Sequence, residues 1–378
     1  MSPLYLVAPL LLLAAGGLAI MLLDAFSKER PELALVTSVT LFAAGGIAAA
    51  ALVKGVPAQA GPEIITRYLA IDAFGLFFDV VICLGAGLSA LLAGGYLREH
   101  GLERGEFYLL IIFSALGGMI LARSVDLLTL FIGLETLSLG VYAMVAFRRT
   151  SARAVEGAMK YFLLGSFAAA LLLLGSALAY GATGHTDFVG IGDAVRSGQA
   201  HTGLMLLALL LIVVGLAFKV SAVPFHMWTP DAYEGAVTPA TTFMSVVVKS
   251  AAFAVLVRVL ITGFGDSASM DPISGWPALL VGLAVLTMLV GNLAAVVQSS
   301  VKRMLAYSSI AHAGYILVGL AAAHAVGEQA VSAVLYYLLA YTVSNALAFG
   351  SLILLGSYGR EAVSYEDLAG AGRRHPLA

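Results

Sequence analysis

Three ionisable side chains stand deep inside long apolar segments of this sequence. Glu135 lies within VDLLTLFIGLETLSLGVYAMVAF, Lys219 near the end of the apolar run that begins at 203, and Lys249 within TPATTFMSVVVKSAAFAVLVRVL. A buried lysine releases its proton more readily than an exposed one, and a nearby carboxylate opposes that release. A glutamate and two lysines can therefore pass a proton along without a cofactor. The alternative is an ion pair that only fixes helix packing.

The chain just after Lys219 predicts a broken helix. It reads VSAVPFHMWTPDAYEGAVTPA, which is too apolar and too rich in proline for an ordinary loop. Pro224 and Pro230 exclude one continuous helix, and freed backbone groups at membrane depth must face protein or water. Broken helices of this kind mark ion or substrate sites in transporters. The alternative is a proline kink followed by an aromatic segment at the membrane surface.

Two histidines and a third lysine are further candidates. His226 follows the first of those prolines, and His312 lies in SSIAHAGYILVGL. Each could relay a proton, since the ordinary pKa of histidine is about 6.5, or could simply hydrogen-bond to a neighbouring helix. Neither has a metal-ligand partner three or four residues away, so the sequence predicts no metal site. Lys160 stands at the end of an apolar segment, where a side chain that reaches water also explains it.

The amino-acid composition indicates that the chain lies in a membrane. Of 378 residues, 61% are apolar and 11% are charged, against about 25% charged in ordinary globular chains. A mean hydropathy of +0.98 indicates the same environment. These values exclude a water-soluble protein, and a net charge of -2 offers no basic field for nucleic acid. One cysteine, Cys83, excludes intrachain disulfides and iron-sulfur clusters held by this chain alone.

Apolar stretches long enough to cross a bilayer core of about 30 Å recur along the whole chain. We therefore predict an all-α polytopic membrane protein, with connections too short for a soluble domain. The spans are expected near 4–24, 33–53, 71–96, 107–123, 125–147, 159–181, 203–223, 238–261, 276–298, 303–323 and 329–356.

The distribution of Lys and Arg between the loops predicts the orientation of these spans. Even-numbered loops hold four basic residues, namely Lys54, Arg67, Arg123 and Arg196. Odd-numbered loops and the tail hold twelve, namely Lys28, Arg30, Arg98, Arg104, Arg148, Arg149, Arg153, Lys302, Arg303, Arg360, Arg373 and Arg374. By the positive-inside rule the N-terminus lies outside and the tail in the cytoplasm.

Three motifs carry a resemblance to a known family. AFKVSAVPFHMWTPDAYEGAVTPATTF, GLETLSLGVYAM and VKRMLAYSSIAHAGYILVG resemble the antiporter-like proton-pumping subunits of respiratory complex I. Within that group, Met-Trp-Thr-Pro-Asp and Tyr-Glu-Gly favour the subunit N family of bacterial NADH:quinone oxidoreductase. Sister subunits and Mrp-type antiporters usually read Leu-Pro-Asp-Ala in this segment. The resemblance runs from about residue 65 to the end of the chain.

The resemblance implies a fourteen-helix fold with two inverted five-helix repeats, each containing a broken helix. Residues 1–106 would form three N-terminal helices, 107–262 the first repeat with its break near 203–235, and 263–378 an incomplete second repeat. The sequence ends after RRHPLA, which usually leads into span twelve. We therefore expect a C-terminally truncated chain without spans 12–14 and the exit lysine. Val237 and Val248 stand where the family commonly has proline.

The resemblance also implies roles for the buried charges. By motif, Glu135 matches the glutamate of span five, Lys219 the lysine of the broken span and Lys249 the lysine of span eight. Glu135 would modulate Lys219, Lys219 would load a proton from one half-channel, and Lys249 would pass it along a hydrated axis. Lys160 matches a span-six lysine that some members carry.

A chain of this kind would be a translocase subunit of the bacterial inner membrane with no redox chemistry of its own. It would bind no cofactor, because NADH, FMN, iron-sulfur clusters and quinone would belong to partner subunits. Its neighbours would be M- and K-type membrane subunits and the lipid bilayer. Two other interpretations stay open: an Mrp-type or stand-alone cation/proton antiporter, and a subunit whose charges only fix helix order.

Overall fold

A computed structural model describes residues 3–26, 32–56, 63–266, 269–356 and 358–375. Within these ranges it has 11 helices long and apolar enough to cross a membrane, which confirms the predicted all-α polytopic fold. They are α1 (Pro3–Phe26), α2 (Leu33–Lys54), α3 (Ala73–Glu99), α4 (Gly105–Arg123), α5 (Leu127–Val145), α6 (Ala152–Thr183), α7 (Thr202–Val220), α8 (Thr238–Gly263), α9 (Trp276–Val296), α10 (Val301–Ala321) and α11 (Glu328–Leu355). Short helices span Glu63–Thr66, Phe188–Arg196, Trp228–Gly235, Ala323–Val326 and Ala371–Arg374.

Polar side chains cap the start of several spans. Asp72, Asp126, Ser151 and Ser300 each accept a hydrogen bond from a backbone N–H group in the first turn of the helix that follows. The first backbone N–H groups of a helix have no acceptor within the helix. A capping side chain therefore removes the free-energy cost of leaving them unpaired, which is large near lipid. The cap at Ser151 lets α6 begin at 152 rather than near the predicted 159.

The break after α7 lies where the prolines predicted it. Ser221 adopts a left-handed conformation with φ 64°, and the N–H of Ala222 donates to the carbonyl of Ala217 at 2.9 Å. This pattern closes a helix end. The chain then forms the short helix Trp228–Gly235 before α8 starts.

Helix α8 lies at the centre of the bundle and contacts α3, α4, α7 and α11. In its most apolar window 89% of the residues are buried, against 22% for the peripheral α9. It is not a uniform helix, because Met244–Val248 and Val259–Gly263 form wide π turns. Lys249 directly follows the first of these turns. Such π turns often occur at functional sites.

Helices α4 and α5 cross at close range through glycine. A Cβ added to Gly133 would lie 2.6 Å from the backbone nitrogen of Leu121, so no larger residue fits without a shift of backbone. Small residues allow this approach in membranes, where dispersion and not water drives helix association. Glu135, two residues further along α5, lies about 200° around the helix from Gly133 and so faces away from this crossing.

Two ion pairs at one end of the bundle correct the loop assignment of Arg123. We call the end that carries residues 358–375 the tail end and the opposite one the far end. At the far end the fully buried Arg123 pairs with the equally buried Asp79, and its Nη1 donates to the carbonyl of Leu6 at 3.1 Å. Arg258 makes two hydrogen bonds to Asp72, at 2.8 and 2.7 Å. Arg123 is therefore an internal residue and not a loop charge.

Lys302 also lies elsewhere than in the loop where the sequence placed it. It belongs to the first turn of α10, and its side chain is 1% exposed. Of the basic residues used for the orientation, Lys28 and Arg30 lie outside the described residues, as do the final residues of RRHPLA.

Candidate functional site

Lys219 lies in the last turn of α7, surrounded by aromatic side chains. It is 3% exposed, and its Nζ lies 3.5 Å from the hydroxyl oxygens of both Tyr142 and Tyr161. The same nitrogen lies 5.2 and 5.0 Å from the centroids of those two rings. Aromatic faces and hydroxyl groups stabilise an ammonium that has lost its water. The site can therefore hold Lys219 charged without a direct ion pair.

The broken helix supports these aromatic side chains. Trp228 stacks on Tyr161 with centroids 4.0 Å apart and planes 9° from parallel, and its indole N–H donates to the carbonyl of Phe218 at 3.0 Å. Thr229 donates to the hydroxyl of Ser221 at 2.7 Å. The short helix after the break thus holds the aromatic wall of the Lys219 site in place.

Glu135 lies near this site and does not pair with the lysine. The two side chains interact electrostatically, yet they form no ion pair in the structure. Tyr142 follows Glu135 by seven residues, which places it on the same face of α5 and nearer to Lys219. One carboxylate oxygen of Glu135 is buried without a hydrogen-bond partner among the described residues. Such a group is costly to hold charged, so it is suited to accept a proton or to move toward Lys219.

Lys249 forms a second cluster with α10 and α11. It is 1% exposed, and its Nζ donates to both the carbonyl and the hydroxyl oxygen of Ser309. Tyr341 donates to the same hydroxyl at 2.7 Å, and its ring centroid lies 5.4 Å from the lysine nitrogen. Ser309 is therefore the centre of the Lys249 cluster.

His312 extends the Lys249 cluster toward the surface of the bundle. Its ring lies 5.2 Å from that of Tyr341, and its Nδ1 shares a hydrogen bond with the hydroxyl of Tyr337. Its ring also contacts Tyr315, whose hydroxyl accepts a hydrogen bond from the amide of Asn292 at 3.1 Å. These groups form a polar path on α10 that leads from the Lys249 cluster through His312 toward the surface, while the role of His312 in relay stays a prediction.

His226 and Lys160 lie outside both clusters. His226 is half-buried in the turn after α7 and makes no hydrogen bond to Lys219 or Lys249. Lys160 forms ion pairs with Glu156 at 2.6 Å and with Asp231 at 2.7 Å, and 44% of its side chain is exposed. The observed contacts of Lys160 fit a surface ion pair, while its role in transport stays a prediction.

The sequence does not indicate the hydroxyl partners of the two lysines. Tyr142 could have been found from its spacing of seven residues from Glu135, and Ser309 from its place three residues before His312. Tyr161 and Tyr341 carry no such signal, because only the fold brings them to the lysines. Within the described part of the chain, no hydrogen bond connects the Lys219 cluster to the Lys249 cluster. A proton that moves between them needs intervening water.

A third buried lysine, at the tail end, was also missed. Nζ of Lys302 donates to the carbonyl of Ala236 at 2.6 Å and lies 3.3 Å from Oε2 of Glu361. Glu361 belongs to the segment after α11, and burial raises the pKa of its carboxyl to about 7.

The side chains of these clusters are of types that can exchange protons. Tyrosine, serine, histidine and lysine groups lie within hydrogen-bond distance of one another, buried among apolar helices. Among the residues that the structure describes, no three His, Cys, Asp or Glu side chains are grouped to hold a metal ion.

Comparison with known proteins identifies one family and relatives that belong to it. Residues 124–373 match the family described as NADH:quinone oxidoreductase/Mrp antiporter, transmembrane. Subunit N 1 of the NADH-quinone oxidoreductase of Sorangium cellulosum is 57% identical, over 100% of this chain and 77% of the relative. The corresponding subunit N of Myxococcus xanthus is 40% identical, over 97% of this chain and 75% of the relative. The chain thus spans about three quarters of the length of both relatives.

Solved structures agree with these sequences. A chain of respiratory complex I from Thermus thermophilus, solved with bound aureothin, has a TM-score of 0.78 and 36% identity over 98% of this chain and 75% of its own length. A chain of an archaeal membrane-bound sulfane sulfur reductase has a TM-score of 0.85 and 26% identity, over 100% and 76%. The broken helix, the buried lysines, the family match and these relatives together show that the chain belongs to the subunit N branch of the antiporter-like NADH:quinone oxidoreductase family.

Proposed function

We propose that the chain is a membrane-arm subunit of a proton-translocating NADH:quinone oxidoreductase. In this proposal Glu135, Lys219 and Lys249 carry protons, driven by electron transfer in partner subunits. The observation that carries it is the pair of buried lysines, each held by neutral hydroxyl groups rather than by a carboxylate. A lysine without a tight counter-ion loses and regains its proton more readily than one in a strong buried ion pair.

Glu135 controls the state of Lys219 in this mechanism. When the glutamate is charged and close, it favours the ammonium form of Lys219; when it is neutral or distant, the lysine releases its proton. Water carries that proton to Lys249, and the path through Ser309, Tyr341 and His312 takes it onward along α10 and α11. His226 and Lys160 are assigned to the approach from the tail end.

The proposal assigns the redox groups and the partners to the rest of the complex. NADH, FMN, iron-sulfur clusters and quinone would be bound by other subunits, and the membrane neighbours would be of the M and K type. The tail end faces the bacterial cytoplasm and the N-terminus lies outside, because the tail end carries the excess of Lys and Arg.

A matched pair of substitutions tests the proton relay. Lys219→Gln in the complete complex removes the titrating amine while it keeps much of the side-chain volume. We expect it to reduce NADH-driven proton pumping by about 10²-fold, the scale typical of a lost proton-transfer group. Lys54→Gln changes an exposed lysine at the end of α2 and serves as the control. Proton release and quinone reduction are measured together in sealed vesicles, and unchanged pumping in the Lys219 variant would refute the relay.

The same vesicles separate this function from cation/proton antiport. A chain of the Mrp complex from Dietzia sp. has a TM-score of 0.74 at 23% identity, over 92% of this chain and 63% of its own length, a likeness that concerns the fold alone. Sodium-dependent proton movement without NADH oxidation would favour antiport. Pumping that requires NADH and is independent of sodium supports the proposed function.

A further inference from the structure

The segment after α11 crosses the tail end of the bundle as a strap, here residues 358–375. The N–H of Val301, in the first turn of α10, donates to the carbonyl of Val363 at 2.7 Å. Ser300 and Ser364 form an isolated bridge beside that bond. Backbone contacts of this kind hold the strap at a defined height over α10, so its side chains occupy fixed positions.

Glu361 is the strap residue that reaches into the bundle. Its Oε2 lies 3.3 Å from Nζ of Lys302 on α10, and its Oε1 accepts a hydrogen bond from the hydroxyl of Tyr96 on α3. The backbone N–H of Thr238, where α8 begins, also donates to this carboxyl group. One side chain therefore contacts three spans, including the helix that carries Lys249.

Glu361 lies between open cavities and a closed interior. A cavity of about 230 Å³ borders it on the side of Ser151 and Glu234, and a second of about 240 Å³ borders it on the side of Asp367. Both are roomy and polar enough to hold water. The side chain of Glu361 is 18% exposed and that of Lys302 is 1% exposed. A proton from the cytoplasm thus meets the carboxyl group before it meets the amine.

We propose that Glu361 is a proton-loading residue, which takes protons from the cytoplasmic water and passes them to Lys302 as a second inlet toward Lys249. This rests on the function proposed above. In each cycle the carboxylate binds a proton from water, transfers it to the neutral amine of Lys302, and returns to the carboxylate form. The amine becomes an ammonium and then releases the proton inward.

The inward step follows α10. Lys302 and Ser309 are seven residues apart, which is two helical turns on one face and about 10 Å. Ser309 binds Lys249, and the hydroxyl of Tyr233 hydrogen-bonds to Ser309 from the short helix after the break. The path from Lys302 to Tyr233 requires a few water molecules between them.

The titration of Glu361 suits this task. Because burial raises its carboxyl pKa to about 7, both protonation states are populated near neutral pH. Burial first, and then the charge of Arg148, lower the pKa of His100, so that histidine does not compete for the proton. The other titratable or charged groups that face Glu361 are Tyr96 and Glu99 from α3, Arg148 and Arg153 before and in α6, Glu234 from the short helix, Lys302 from α10, and Arg360, Asp367, Arg374 and His375 from the strap.

The pH profile of pumping in the complete complex tests the proposal. We expect the wild-type rate to fall as the pH rises through about 7, where Glu361 loses its proton. Glu361→Gln should lower the rate about tenfold or more at pH 7 and remove that dependence on pH. Glu361→Asp keeps a titrating group and should retain the slope. Glu366→Gln, an exposed glutamate on the same strap, is the matched control.

The outcomes distinguish loading from support of the strap. If Glu361→Gln pumps as well as wild type, or loses the same fraction at every pH together with Glu361→Asp, the proposal is overturned. The Lys219→Gln variant separates this result from failure of the relay. A complex that is sensitive to Lys219→Gln but indifferent to Glu361→Gln keeps the relay and loses only the second inlet.

Discussion

At the scale of single residues, Ser309 holds Lys249 in place. It supplies two oxygen atoms to one buried amine and accepts a hydrogen bond from Tyr341. A hydrogen bond from a charged group to a neutral one contributes about 1.5–3 kcal/mol. The amine of Lys249 therefore depends on this serine for much of the stabilisation that water would otherwise give.

Replacement of Ser309 by alanine should weaken proton transfer through Lys249. The backbone carbonyl remains, but the hydroxyl that links Lys249 to Tyr341 is lost. We expect pumping to fall about tenfold, corresponding to about 1.4 kcal/mol, with quinone reduction lowered in parallel where the two processes stay coupled. Ser308→Ala, one residue away and outside the Lys249 cluster, controls for the loss of a hydroxyl from α10. Equal pumping in the two variants would show that Ser309 does not act in the path.

The sequence predicts which charges are buried better than it predicts their partners. Hydropathy places Glu135, Lys219 and Lys249 inside spans, because a charge in an apolar run is visible in one dimension. The partner Tyr161 is not visible, since it precedes Lys219 by 58 residues and only the fold brings the two together. For the same reason Glu361, which follows Lys302 by 59 residues, could not be assigned to it.

At the scale of secondary-structure elements, the break after α7 depends on one residue with positive φ. Ser221 has φ 64° and bonds to Thr229 across the break. A left-handed residue with a Cβ costs about 1–2 kcal/mol, and a β-branched one costs more. The bond to Thr229 offsets part of that cost.

Two substitutions of Ser221 separate backbone strain from the lost hydrogen bond. Both Ser221→Gly and Ser221→Val remove the hydroxyl, but only valine resists positive φ. We expect the valine variant to be less stable than the glycine variant by about 1–2 kcal/mol. Thermal unfolding of the purified complex measures the difference. If valine proves as stable as glycine, the left-handed turn does not hold the break.

Prolines and hydropathy were enough to predict this break and most span boundaries, but the π turns of α8 were not predictable. A π turn changes the hydrogen-bond pattern of the backbone and leaves an apolar run just as apolar. The early start of α6 was missed for a related reason. Residues 152–158 are only moderately apolar, and their helix depends on the cap at Ser151.

At the scale of the whole molecule, the far end is fastened by charge. Arg123 joins α4 to Asp79 on α3 and to the carbonyl of Leu6 on α1, while Arg258 joins α8 to Asp72. These contacts connect α1 and α3 to α4 and to α8, the helix that carries Lys249. Arg123 and Asp79 are both 0% exposed, so each depends on the other for its charge.

Removal of Arg123 should destabilise the whole subunit. Arg123→Ala leaves the carboxylate of Asp79 buried without a counter-ion, a change that typically costs about 3–5 kcal/mol. The double variant Asp79→Ala with Arg123→Ala removes both charges and should recover part of the loss. The yield and unfolding temperature of the assembled complex provide the measurement, and Arg98→Ala, from an exposed ion pair, is the control. A double variant as unstable as the single one would show that packing, and not charge, fastens the far end.

The wide turn at Met244–Val248 changes the register of the central helix. An α-helix advances about 100° per residue, so one additional residue in a turn rotates everything after it by that angle. A helical wheel drawn through α8 with a single period therefore assigns Lys249 to the wrong side. The turn works as an insertion that adds a residue without adding a loop. It aims the amine of Lys249 at Ser309 while the first part of α8 keeps its own packing face.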